Sequence, residues 1–220
     1  MQKPTYITLA ETSARQKRFE LLARLLREVH PPIRILDLGG TMDFWRVVDY
    51  TRLGEIQVTL VNVFAQDGLP PNFCSRVGDA RCMACYGPGD FDVVLSNSVI
   101  GHVGSFEDQR RMAQEIRRIG QRYFVQTPNK YFPVDWRTLV PFFHLLPLHC
   151  RATLLHRLPI MPFGRLTPYS HSLEWAASVR NLTYRELRTL FPEATIARER
   201  VLCFTKSFMV SYGFREHRAG

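Results

Sequence analysis

Runs that are apolar throughout alternate along the chain with stretches whose apolar side chains recur every three or four positions. In residues 15–29, RQKRFELLARLLREV, the side chains of Phe19, Leu22, Leu25, Leu26 and Val29 share one helical face, with Arg and Glu opposite. Pro31 and Pro32 stop that helix. IRILDLGG (33–40) predicts a buried strand ending in a glycine turn, DFWRVVDY a short helix broken at Gly54, and IQVTLVNV (56–63) a second buried strand. SRVGDA (75–80) predicts a short third strand and FDVVLSN (91–97) a fourth. FEDQRRMAQEIRRIG (106–120) has amphipathic helical spacing and a glycine stop, and RYFVQT (122–127) is a fifth strand closed by Pro128.

Apolar strands alternating with helices indicate a parallel sheet covered on both faces. The C-terminal part differs. YRELRTLFPEA predicts a helix with a proline stop, and TIARERVLCF and SFMVSYGF follow with only Thr205 and Lys206 between them. That is an antiparallel hairpin, expected at the sheet edge. The fold class is therefore α/β and Rossmann-like: a mostly parallel seven-stranded sheet with an antiparallel C-terminal hairpin and helices on both faces. One domain spans residues 1–220, interrupted by a segment at 131–170. Prolines 133, 141, 147, 159, 162 and 168 prevent a long helix there, so a few short helices and turns are expected. Its many large apolar side chains suggest a lid over a substrate pocket, or else an insertion that covers its own apolar surface over the sheet's edge.

Composition narrows the class. With 45% hydrophobic and 22% charged residues the chain is an ordinary globular protein. No apolar run approaches the roughly 20 residues of a membrane span. The N-terminus has no apolar h-region, and the five cysteines lack framework spacing, so a reduced, cytoplasmic protein is expected. The net charge of +9 is spread along the chain, for example over Arg110, Arg111, Arg117, Arg118 and Arg122 among acids and apolar residues. Such a spread argues for solvated helix faces rather than a nucleic-acid groove. It fits an anionic membrane surface or an acidic substrate better.

In a doubly wound sheet the ligand lies at the carboxyl ends of the strands. Four segments end strands there: Asp37-Leu38-Gly39-Gly40-Thr41, Asn62-Val63, Asp79-Ala80 and Ser96-Asn97-Ser98. Glycines allow a close backbone approach, and exposed N–H groups accept a carboxylate or phosphate. Asn62 could meet a ribose hydroxyl and Asp79 an adenine amino group. The successive spacings of 25, 17 and 18 residues between Asp37, Asn62, Asp79 and Asn97 each suit one βα unit. Cys82-x-x-Cys85, with Cys74 upstream, has no second pair to complete a zinc site, so no metal is expected.

These segments resemble the motifs of class I S-adenosylmethionine-dependent methyltransferases. ILDLGGT is similar to their first motif, VTLVNV to the acidic second-strand motif, GDA to the adenine motif and FDVVLSNSVIGHVG to the fourth-strand motif; the hairpin at 194–213 is similar to their reversed last strand. FVQTPNKYFPVDWRTLVPFFHLLP further resembles a bacterial subgroup in which a TPN-aromatic-FP segment leads into a lid. The resemblance implies S-adenosylmethionine as cofactor and S-adenosylhomocysteine as product. Asp37, Gly39, Gly40 and Thr41 would hold the methionine moiety, Asn62 and Val63 the ribose, Asp79 and Ala80 the adenine, and Asn97 and Ser98 the methionyl end. Asn129, Tyr131, Trp136, His144 and Arg165 would line the acceptor, and His102 would be the base for a hydroxyl acceptor. His149 and His171 fit structural roles. The acceptor would be a small molecule, such as a sugar, a lipid-linked intermediate or a natural-product hydroxyl or amine.

Three departures from the pattern stand out. Thr41 replaces the third glycine, Asn62 the usual second-strand acid, and Gly101 the usual Glu before the His. A carboxylate would accept both ribose bonds, so Asn62→Asp is expected to tighten cofactor binding or at least not weaken it. Other functions stay open: an RNA methyltransferase, although no RNA-binding domain or NPPY-type tetrapeptide is present; a NAD-dependent dehydrogenase, although GGTMDF stands where GxGxxG belongs; and a non-catalytic nucleoside-binding module.

Overall fold

The computed structural model describes residues 5–134, 138–161 and 164–214. Five parallel strands, β1 (Ile33–Leu38), β2 (Ile56–Asn62), β3 (Phe73–Val77), β4 (Phe91–Asn97) and β5 (Gly120–Pro128), lie in the order β3-β2-β1-β4-β5. The sheet is completed by β7 (Phe204–Tyr212), antiparallel to β5, and by β6 (Thr195–Val201) on the outer edge. The chain thus turns back inside the sheet, so its last strand is not its edge.

Side chains alternate between the two faces of the strands, as the pleat requires. On one face Ile33, Ile35, Val58, Leu60, Val93, Leu95 and Phe124 pack with Phe19, Leu22 and Leu26 of α1 (Thr5–Leu26) and with Trp45 of α2 (Met42–Arg46). On the other face Leu36, Leu38, Val94, Tyr123, Val125 and Val210 pack with Met112, Ile116 and Ile119 of α3 (Phe106–Ile119). The same cluster takes in Leu187 and Leu190 of a short C-terminal helix, Tyr184–Leu190. Both of these helices start in a reciprocal capping box, Ser105 with Asp108 and Thr183 with Glu186.

Three features differ from the sequence reading. The third strand is Phe73–Val77 and stops before Gly78, so Asp79 and Ala80 lie in a turn. The βα spacing does not mean a helix in each unit: the links at 63–72 and 78–90 carry none, and Gly68, Pro70, Pro71, Gly87, Pro88 and Gly89 explain why. The hairpin turns at Leu202-Cys203 rather than at Thr205-Lys206. Thr205 and Lys206 are drawn into β7 because Asn129 donates to both of their carbonyls and Lys206 lies 3.7 Å from Glu199.

The inserted segment does not merely extend the sheet's core. Its 3₁₀ turn (Phe143–Leu145) and two helices, α4 (Leu148–Arg157) and α5 (Tyr169–Ser178), bury Phe143, Ala152, Leu155, Met161 and Ala176 in a cluster of their own. The chain leaves and re-enters the body at a parallel bridge between Asn129 and Leu182. The buried amide of Gln109 locks the return, donating to Ile100 O and Arg180 O at 2.9 and 2.8 Å.

Candidate functional site

The turn after β1 is built around two glycines that admit no side chain. Gly39 has φ +72°, and a Cβ on it would lie 2.4 Å from Val99 Cγ1. Gly40 sits on the carboxylate of Asp37, and its Cβ would lie 2.1 Å from Oδ2. Asp37 is 1% exposed; its Oδ2 accepts from the Trp45 indole N–H at 2.9 Å, while its Oδ1 has no partner. Burial pushes this carboxyl up to about 7, against the lowering effect of the indole bond. Trp45 is in turn fixed by edge contacts with Phe44 and Phe73.

Two amides brace the turn from the side of β2. Asn62 Nδ2 donates to Gly39 O and Gly40 O at 3.2 and 3.3 Å, and its Oδ1 accepts from Val63 N. Gln66, which the sequence did not single out, donates to Gly40 O and accepts from Met42 N, both at 3.0 Å. The amide at Asn62 therefore faces carbonyls, which a carboxylate could not do. The expectation for Asn62→Asp reverses: an oxygen in place of the NH2 meets two carbonyl oxygens and loses both bonds. Urea titration of Asn62→Asp should show a loss of about 1–3 kcal/mol of stability. Unchanged stability with tighter nucleoside binding would restore the ribose role.

Around the turn stand the other strand ends. Val63, Phe64 and Val77 are 78%, 51% and 66% exposed, an apolar group at the ends of β2 and β3. Asp79 and Ala80 are half-buried, but both Asp79 oxygens are held by Arg81, the shortest bond at 2.6 Å. This pairing keeps the Asp79 carboxyl below its ordinary range. A ligand amine at Asp79 would share it with Arg81. Thr41 precedes α2 without a side-chain capping bond.

At the end of β4, Asn97 Oδ1 accepts from Arg18 Nη1 at 2.9 Å, so α1 reaches across the strand ends. The same guanidinium donates to Gln126 Oε1 at 3.2 Å, and Ser98, at φ +63°, donates its hydroxyl to that oxygen. Arg18 and Gln126 escaped the sequence reading because the partners that join them are 79 and 108 residues from Arg18 along the chain. His102 is exposed, in a 3₁₀ turn (Ile100–His102) just past β4. Gly101, which stands where the motif has a Glu, accepts at its carbonyl from Arg180 N of the returning chain at 2.8 Å.

The residues expected at the acceptor differ in their surroundings. Asn129 is buried where the insertion leaves the sheet, and its side-chain amide donates to Thr205 O and accepts from Tyr131 N. Tyr131 is 64% exposed, Arg165 is exposed, and His144 is half-buried in the insertion's 3₁₀ turn. Trp136 lies outside the described residues. Among the described residues no three His, Cys, Asp or Glu side chains gather as a metal ion would need.

No protein-family model and no curated protein matches this chain. Solved structures do. Magnesium protoporphyrin IX methyltransferase from Synechocystis PCC 6803, with bound SAH, is 12% identical, with a TM-score of 0.58 over 96% of this chain and 88% of that one. A SAM-dependent methyltransferase from Methanosarcina mazei is 12% identical, with a TM-score of 0.52 over 84% and 93%. A protein from Rhodobacter sphaeroides provisionally named a Zn-dependent alcohol dehydrogenase is also 12% identical, with a TM-score of 0.53 over 87% and 88%. At such identities the likeness carries the fold and not the chemistry. The chain has the Rossmann-like fold that these methyltransferases share, down to the antiparallel C-terminal hairpin.

Proposed function

We propose that the chain is an S-adenosylmethionine-dependent methyltransferase acting on a small-molecule acceptor. One observation carries this: the two-glycine turn, backed by a buried carboxylate, opens at the carboxyl end of β1 in a sheet whose β7 runs antiparallel between β5 and β6. A dinucleotide-binding dehydrogenase would continue with parallel strands in the order 3-2-1-4-5-6.

The residues present suit an adenosyl sulfonium. Gly39 and Gly40 let the turn pack tightly on Val99 and Asp37 at the carboxyl end of β1, and the exposed Val63, Phe64 and Val77 offer apolar surface to a purine. The cofactor supplies an already activated methyl group, so the chain needs only to align the acceptor and exclude water. Held at the Gly39–Gly40 turn, S-adenosylmethionine would supply that methyl group, with S-adenosylhomocysteine as the product. The acceptor's proton passes to a base, for which His102 is the nearest histidine in sequence to the end of β4.

Titration calorimetry with S-adenosylhomocysteine, S-adenosylmethionine and NAD tests the reading. Saturable binding of the two sulfur nucleosides and none of NAD is expected. Stabilisation by NAD alone would assign the site to a dehydrogenase.

A further inference from the structure

Among the described residues four non-glycine residues have positive φ: Ser98, Leu139, Phe142 and Leu202. Ser98 belongs to the site above. The other three are large apolar residues at 44%, 54% and 91% exposure. The left-handed region is disfavoured for side chains of this kind and tolerated best by Gly, Asn and Asp. Here the backbone is strained at three positions, and each of them presents a hydrophobe to solvent. Such strain persists only where surrounding structure imposes it. At Phe142 that structure is visible: its N–H donates to Pro133 O at 2.6 Å, beside an antiparallel bridge between Val134 and Pro141.

A three-residue spacing sorts the neighbouring side chains. Val140, Phe143 and Leu146 pack into the insertion's own core, whereas Leu139, Phe142 and Leu145, one position earlier each time, are exposed. Residues three apart eclipse in a 3₁₀ turn, and Leu145 N donates to Phe142 O at 2.9 Å. Phe142 and Leu145 thus share one side of that turn, and Leu139, three residues earlier, extends the exposed stripe along the chain. The hairpin tip adds Val201, Leu202 and Phe204, all exposed. Both features leave the same end of the sheet, because β7 begins where β5 ends and Asn129, just before the insertion, bonds to Thr205 and Lys206.

We propose that the stripe at Leu139, Phe142 and Leu145, together with the tip at Leu202 and Phe204, inserts into the headgroup boundary of an anionic phospholipid bilayer. Charge favours that occupant. Residues 131–170 contain four arginines against one Asp and no Glu, Arg157 and Arg165 are exposed, and the chain carries +9. Exposed apolar side chains in an arginine-rich, acid-poor segment are the composition of an interfacial anchor. No helix among the described residues is long and apolar enough to cross a membrane, so the contact is peripheral.

Vesicle flotation of the full chain tests this with phosphatidylcholine vesicles and with vesicles that also contain phosphatidylglycerol. The variants are Phe142→Asn and Leu202→Asn, singly and together. Asn accepts the left-handed backbone, so circular dichroism and the melting curve should stay native while the apolar anchor is lost. The wild type should float with the anionic vesicles, less so as salt rises, and each substitution should lower partition by about tenfold, as expected for one large apolar side chain. Absence of flotation in the wild type, equal flotation on both vesicle types, or flotation that persists in the double variant overturns the proposal. So does a wild-type dimer that the substitutions dissociate, since a second copy would then cover the stripe. The surface does not rest on the methyltransferase reading, and nucleoside binding by the variants should match the wild type.

Discussion

Gly40→Ala is expected to abolish nucleoside binding and to lower the melting temperature by more than any other single methyl added to the chain. Its Cβ would lie 2.1 Å from both Cγ and Oδ2 of Asp37 and 2.6 Å from Oδ1. The carboxylate cannot retreat, because Trp45, which holds it, is fully buried among Phe44, Tyr50 and Phe73. The turn must move instead, and Gly40 O then leaves both Asn62 and Gln66. Overpacking of this kind costs about 1–3 kcal/mol, and the two lost bonds add about 1 kcal/mol each. Gly101→Ala is the matched control: its Cβ would meet Arg180 O and Asn181 Oδ1 at 3.5 Å, an ordinary contact. The measurement is a thermal melt of both variants with and without S-adenosylhomocysteine. If Gly40→Ala melts and binds like the control, the turn is not the site.

What the sequence revealed was set by periodicity and glycine. IRILDLGG, IQVTLVNV and FDVVLSN are apolar on both faces because both faces of β1, β2 and β4 are covered, and their ends fall within a residue or two of the expected places. The amphipathic stretch at 106–120 matched α3 because Met112, Ile116 and Ile119 need one face. The hairpin turn was misplaced for an equally physical reason. Polar residues usually mark turns, but Lys206 is held beside Glu199 and Ser207 also donates to Glu199. The turn therefore falls on Leu202, which no propensity rule would choose.

Site residues divide along the same line. The glycines were legible because only glycine fits where they stand. Asn62 was legible as a position and not as a role, since its contacts are to the carbonyls of a turn 22 and 23 residues away in sequence. Gln66 and Arg18 were invisible because their partners are distant backbone and side-chain groups. The insertion showed in its prolines and apolar content, but only the structure shows its separate core and which apolar side chains stay outside it.

Asp37 makes stability depend on pH in a direction opposite to that of most carboxylates. Its folded-state carboxyl lies near 7 against 3.8 in an ordinary environment. The folded form then binds the proton more tightly than the unfolded chain, so stability from this group is full below about pH 4 and is lost as pH rises through 7. A shift of that size corresponds to a loss of about 4 kcal/mol, an upper bound for a buried group. Asp37→Asn removes the titration and keeps an oxygen for the Trp45 indole. It also places an amide N–H where Oδ1 has no partner, at a cost of about 1–3 kcal/mol. The two proteins should therefore cross: the wild type more stable in mild acid, the variant equal or better in mild alkali. Urea midpoints measured across that range give the difference curve, in which other titrating groups cancel. A difference that stays flat through neutrality would place Asp37 at an ordinary carboxylate pKa and remove the buried charge beneath Gly40 from the account.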